Sequence, residues 1–166
     1  MRPPTKATLT TVFSDVLANL AFMFSDGSQA EPLPGTRWLE TSIAYRGPVV
    51  GTLTFHCTTE FGELLAANLL GVDAADHAAR ARTQDAVKEF MNIVCGQFIT
   101  ALHGTEHIFD LSIPQTRELD ETPHLVTADT AHVSTLTVEG HLVQLTYTPG
   151  EYPDGLCATG EEIVGA

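Results

Sequence analysis

Two β-favouring runs, residues 37–45 and 49–57, are separated only by Arg46-Gly47-Pro48, whose Gly and Pro supply the turn geometry of a hairpin. An antiparallel pair early in the chain constrains everything around it. Before it, Phe13, Val16, Leu17, Leu20 and Phe24 follow the i, i+3, i+4, i+7 rule, which predicts a helix over residues 11–24 with one buried stripe. The intervening SDGSQAEPLPGT is a connecting loop. After the hairpin come a short helix over 60–70 ending at Gly71, an Ala- and Asp-rich stretch, and a longer helix over 83–103, with Thr83 as N-cap and Gly104 as stop. A strand over 107–113 ends at Pro114 and a polar connection runs through Pro123. Strands over 132–138 and 142–147 then meet at Glu139-Gly140. Segregated runs of this kind predict α+β, with helices on one face of a mostly antiparallel sheet, and not a wound parallel sheet.

The 166 residues, 43% of them hydrophobic, suffice for one core, so residues 1–150 are expected to form one domain. The tail over 151–166 is small, acidic and turn-forming and is expected to be mobile. Eight Lys and Arg face 21 Asp and Glu, and the net charge of −13 has the wrong sign for a phosphate backbone or an anionic bilayer. Neither nucleic acid nor membrane is an expected partner. No apolar run approaches the roughly 18 residues of a spanning helix, and the first residues lack a secretory h-region. Cys57, Cys95 and Cys157 form no C-x-x-C pair, so reduced thiols in a cytoplasmic protein are expected. G-x-G-x-x-G, P-loop and G-x-S-x-G motifs are absent from the sequence.

The helix over 83–103 is the most informative segment. With Val87 at zero on a wheel of 100° per residue, Phe90, Met91, Val94, Phe98, Ala101 and Leu102 fall within about 60° of it, a core stripe. Asp85, Glu89, Asn92 and Gly96 fall within about 40° of the opposite direction, flanked by Ile93 and Ile99. Two readings fit this outer face. In one it is a solvated surface, and Gly96 packs against a neighbouring strand. In the other it is a docking surface, and the mid-helix glycine admits a partner's backbone.

The segment DAVKEFMNIVCG, with Asp85, Glu89 and Asn92 followed by Pro114 after 21 residues, resembles the signature of the CheC, CheX and FliY chemotaxis phosphatases. The spacer is one residue shorter than the family's. The short helix ending Leu69-Leu70-Gly71 and the strand ending in LSIP, residues 111–114, share the likeness, which runs from the first helix to the last hairpin. The resemblance implies a CheC-like fold built as a pseudo-repeat. Aligning the two core stripes pairs Asp15 with Asp85, Asn19 with Glu89 and Phe22 with Asn92, so the first helix lacks the Glu and Asn. One site is expected, as in CheX, and with it a homodimer. Phe22 would then lie on the outer side of the first helix, awaiting burial by a partner or by another part of the chain.

The substrate the resemblance implies is the phosphoaspartate of a CheY-type receiver domain. An acyl phosphate already has a good leaving group, so the enzyme's task is to hold a water in line with phosphorus. A carboxamide can accept a hydrogen bond from that water without being consumed as a base, which makes Asn92 the water-positioning residue. Glu89 is expected to anchor to a receiver lysine. Asp85 takes a secondary docking role and Pro114 a structural one. The Mg²⁺ belongs to the receiver, and no metal is expected in this chain.

Three rivals stand beside this reading. A module of the same fold could bind a receiver without hydrolysing anything. His103 to His107 formally match H-x-x-E-H, which needs both histidines on one continuous helix, whereas Gly104 and Thr105 sit where the helix should end. Cys95 borders the core stripe, where a thiol is usually inert.

Overall fold

The computed structural model describes residues 6–28, 31, 35–125 and 132–150; the tail over 151–166 lies outside the described residues. The elements run α1 (Lys6–Ala21), β1 (Trp38–Arg46), β2 (Val50–Thr58), α2 (Thr59–Leu70), α3 (His77–Ala81), α4 (Thr83–His103), β3 (Asp110–Leu111), β4 (Gln115–Leu119), β5 (Val133–Val138) and β6 (His141–Pro149). The strands form one sheet in the order β3-β1-β2-β6-β5, with β4 also on β1, and every pairing is antiparallel.

Strand alternation decides which side chains meet the helices. Leu39 and Ile43 of β1, Leu53, Phe55 and Cys57 of β2, and Val143 and Leu145 of β6 join one cluster with Phe13, Phe61, Phe90 and Phe98 of the helices. Its centre is aromatic. Phe55 lies 5.6 Å from Phe13, 5.2 Å from Phe90 and 6.3 Å from Phe61 between ring centroids. Each such ring contributes roughly 1.5–3 kcal/mol by leaving water. The other face of the sheet is polar. There the Glu40 carboxylate accepts from Arg117 Nε and pairs with His56 Nε2, each at 2.7 Å. Partial burial would raise the Glu40 pKa, but these two hydrogen bonds outweigh it and hold the carboxyl below its ordinary range.

Four expectations need correction. The first helix spans Lys6–Ala21 and stops at Phe22, whose φ of 55° is left-handed; Phe24, assigned to the core, is 63% exposed, and Met23 is buried in its place. Asn68 Nδ2 donates to Ala21 O at 2.8 Å, satisfying one of the carbonyls the helix end leaves open. The strand expected over 107–113 is reduced to Asp110–Leu111, while Gln115–Leu119, read as a polar connection, pairs with β1 from Trp38↔Leu119 to Ser42↔Gln115. QTREL lacks apolar alternation because it borders the sheet, where charged and polar residues are tolerated. Finally, α3 precedes α4, and Thr83 is the first helical residue of α4 and not its cap. The Thr83 hydroxyl instead donates back to Ala79 O at 3.0 Å, joining the two helices.

The terminus of α2 follows local rules. Thr58 Oγ1 accepts from Phe61 N at 3.1 Å at its start, and Gly71, φ 70°, ends it by donating to Ala67 O.

Candidate functional site

At 21 residues, α4 is the longest helix among those described, and it packs against α1, α2 and β1. Val87, Phe90, Met91, Val94 and Phe98 are fully buried, as its periodicity requires. Asp85, Glu89 and Asn92 are exposed on the opposite side. Glu89 and Asn92 are three residues apart, so their attachment points lie roughly 4.5 Å apart along the axis and neighbour each other on one face. An acceptor-only carboxylate thus stands beside an amide that both donates and accepts.

The flanks behave differently from one another. Ile93 is half-buried, packed against the core's edge. Ile99, expected beside the outer face, is 5% exposed and belongs to the core, whereas Ala101, expected in the core, is exposed. Both departures have one cause. On the wheel, the buried residues of the first half of α4 (Thr83, Ala86, Val87, Phe90, Met91) and those of the second half (Val94, Cys95, Phe98, Ile99) differ in mean direction by roughly 80°. A helix lying on a twisted sheet turns a changing side towards it, and the inner stripe winds accordingly.

Gly96 meets no strand. A methyl group built there would find no neighbouring heavy atom within 4 Å, so among the described residues the packing reading of this glycine fails and the space above it is open. Pro114 is half-buried between β3 and β4. Here the partner of β1 is interrupted: Ser112 N donates to Ala44 O at 2.8 Å, Ala44 N donates to Ser112 Oγ at 2.9 Å, and Pro114 has no N–H to continue the ladder.

Two competing motifs do not assemble. Gly104, φ 70°, ends α4 directly after His103, so His107 lies beyond the helix in a bend. The His103 ring stacks on Phe109, centroids 5.2 Å apart, and its pKa is lowered by burial and by the neighbouring His107. Cys95 is buried and desolvation pushes its thiol up to about 12, which removes the thiolate a nucleophile needs.

One feature of the site has no signal along the chain. Beside Asp85 a pocket of about 460 Å³ opens among the start of β1, α2, α3, α4 and β4, lined by Arg37, Thr59, Glu63, Arg80, Asp85 and Glu118 among others. These residues are far apart in sequence, and part of the wall comes from α3 and β4, the two elements that periodicity does not reveal.

A family model described as "Chemotaxis phosphatase CheX" matches residues 40–136, more than half of the chain, including α4 and Pro114. Comparison with curated proteins finds no significant match. Among solved structures, the chain is similar to a CheX from Desulfovibrio desulfuricans at 17% identity, covering 86% of this chain and 97% of that one with a TM-score of 0.62. A CheC-like superfamily protein from Shewanella matches at 15% identity over 89% of this chain and 99% of that one, TM-score 0.61. A CheX from Borrelia burgdorferi, seen in a complex with CheY, BeF3 and Mg²⁺, matches at 17% identity over 90% of this chain and 100% of that one, TM-score 0.59. At these identities the structural likenesses establish the CheC-like fold.

Proposed function

The chain belongs to the family of the chemotaxis phosphatase CheX, and from that premise we propose that it hydrolyses the phosphoaspartate of a CheY-type receiver domain on the outer face of α4. The observation that carries the proposal is the exposure of Glu89 and Asn92 side by side on one turn of a rigid, deeply packed helix. Asn92 accepts a hydrogen bond from a water and aims it at phosphorus. Because the acyl phosphate leaves readily, the gain comes from position and not from base strength. Glu89 pairs with a lysine of the receiver, which fixes the distance between Asn92 and the phosphoryl group. Asp85, one turn earlier, extends the docking face, and Gly96 leaves room for the partner's backbone beyond Asn92. The divalent ion belongs to the substrate, the receiver; the complex of the Borrelia relative with CheY and Mg²⁺ supports a partner of that class. A receiver partner implies a cytoplasmic setting, and a single Glu/Asn pair in the chain implies a CheX-like homodimer.

The deciding experiment measures phosphate release from a panel of phosphorylated receivers with Mg²⁺, with wild type and Asn92→Ala side by side. Acceleration by wild type that disappears in the variant is the expected result. Receiver binding with no acceleration by wild type would instead identify a non-catalytic module of the same fold. A monomeric mass in solution at working concentration would end the homodimer proposal.

A further inference from the structure

The sheet edge beside α4 holds one residue more than its partner strand. The pairs Asp110↔Arg46 and Leu111↔Tyr45 continue into Ser112, whose N–H donates to Ala44 O at 2.8 Å, but the next pair is Gln115↔Ser42. Ile113 and Pro114 therefore both stand opposite Ile43. This is a β-bulge, a device that re-aims side chains at sheet edges. Its frame is tight. The Ser112 hydroxyl replaces the main-chain carbonyl as acceptor for Ala44 N at 2.9 Å, and the ring of Pro114 fixes its own φ. What the bulge turns outward is Ile113, 56% exposed on an anchored backbone.

Height along β1 connects the bulge to the docking helix. α4 starts beside Leu39, since a methyl group at Gly62 would meet Thr83 Cγ2 at 2.8 Å and Leu39 Cδ1 at 3.0 Å. It ends beside Tyr45, because His103 stacks on Phe109 at 5.2 Å and Phe109 meets Tyr45 edge-on at 5.7 Å. Asn92 is near the middle of α4, and Ile43 is near the middle of that stretch of β1. The sides agree too. Ala86 packs with Ala66 and Ala67 of α2, and Phe90 with Phe13 of α1; on the wheel these lie about 120° and 160° from Asn92. Asn92 leans away from both helices, towards the edge where β4 and the bulge border α4. A protein–protein contact buries roughly 600–800 Å² per partner, more than Asp85, Glu89 and Asn92 alone can supply, so a partner seated on them extends over a neighbouring surface. At the height of Asn92 that surface is Ile113, which adds no charge to a face already bearing two carboxylates.

We propose that the Ile113–Pro114 bulge is the second wall of the docking site, and that Ile113 packs against an apolar side chain of the receiver while Asn92 faces its phosphoryl group. The inference rests on the phosphatase reading for its partner. Ile113 acts here as a specificity residue; it does not touch the reacting atoms. A single exposed isoleucine is commonplace on a protein surface, and Ile108, 87% exposed beside Gly47 at the far end of the same edge, serves as the control.

The test measures affinity for a CheY-type receiver carrying BeF3 and Mg²⁺ by titration calorimetry, and steady-state phosphate release from the phosphorylated receiver. The proteins compared are wild type, Ile113→Ser, Ile113→Leu, Ile108→Ser and Asn92→Ala, with thermal melts to verify folding. Ile113→Ser is expected to raise Kd and KM about tenfold at unchanged kcat, as loss of a uniform apolar contact does. Ile113→Leu should stay within about twofold of wild type, and Ile108→Ser should leave both constants unchanged. The loss should persist at high salt, because no charge is removed. Unchanged Kd and KM in folded Ile113→Ser would overturn the inference, and the phosphatase reading would stand as long as Asn92→Ala still abolishes turnover. Equal weakening by Ile108→Ser would also overturn it, since the bulge would then be no special contact. Binding that Ile113→Ser weakens, without turnover by wild type, would support the docking wall and refute the phosphatase.

Discussion

α1 and α4 pack against each other on the same face of the sheet, and their aromatic anchors meet: Phe13 and Phe90 lie 6.2 Å apart, and each contacts Phe55. Their outer faces begin alike, with Asp15 and Asn19 on one and Asp85 and Glu89 on the other, all four exposed. They diverge at the next turn. α1 ends at Ala21 and its chain turns through the left-handed Phe22, whereas α4 continues past Asn92 for a further eleven residues, to His103. Phe22, aligned with Asn92, is therefore the stop of its helix and not a member of its outer face. It is 73% exposed, so no described part of the chain covers it. The paired inner faces share the work of the core; of the two outer faces, only that of α4 continues in helical register to a third position, where Asn92 follows Glu89.

The largest effect expected is on the shared inner faces. Phe90→Ala and Phe13→Ala should each cost about 3–5 kcal/mol of stability in denaturant unfolding, because both leave a void around Phe55; a markedly smaller cost for Phe13 would show that α1 is a dispensable cover. On the outer faces the two helices should part company. Asn92→Ala should lower phosphate release about 100-fold, equivalent to about 2.7 kcal/mol, while Asn19→Ala leaves it unchanged in the same assay. Grafting Asn19→Glu with Phe22→Asn onto the Asn92→Ala background should not restore turnover, since residue 22 is outside the helix; recovered activity would mean that helix length is not what separates the two copies. Gly96→Ala should stabilise the fold by about 1 kcal/mol in thermal melts, because none of the described residues occupies its space, and weaken receiver binding in the same preparation. The smallest effect is at the stop of α1: Phe22→Gly should gain about 0.5–1 kcal/mol by relieving the left-handed strain of an aromatic residue that buries little.

Much of this architecture is legible along the chain. Phe13, Val16 and Leu17, the runs flanking Arg46-Gly47-Pro48, and Gly71 and Gly104 as helix stops all act through local backbone preference or strict periodicity, which neighbours in space reinforce. Less legible are the elements whose identity depends on where they lie. The five residues of β4 form a strand because β1 offers an open side to them, and α3 forms because Asp76 Oδ1 accepts from Ala78 N at 2.8 Å and Ala79 is buried against α2. The end of α1 is set similarly from outside, by Asn68 on α2 capping Ala21.

The helix that carries Asp85, Glu89 and Asn92, and the face they share, follow from the order of residues alone, because a 3.6-residue period needs nothing beyond it. It also determined the antiparallel hairpin beneath that helix and the family signature that runs through both. That Ile99 turns inward and Ala101 outward depends on packing, since the buried stripe follows the twist of a sheet made from distant strands. Only the tertiary structure, too, brought Arg37 and Arg80 to one pocket beside Asp85: charge composition counts the cations of a chain, but their meeting depends on the packing of elements remote in sequence.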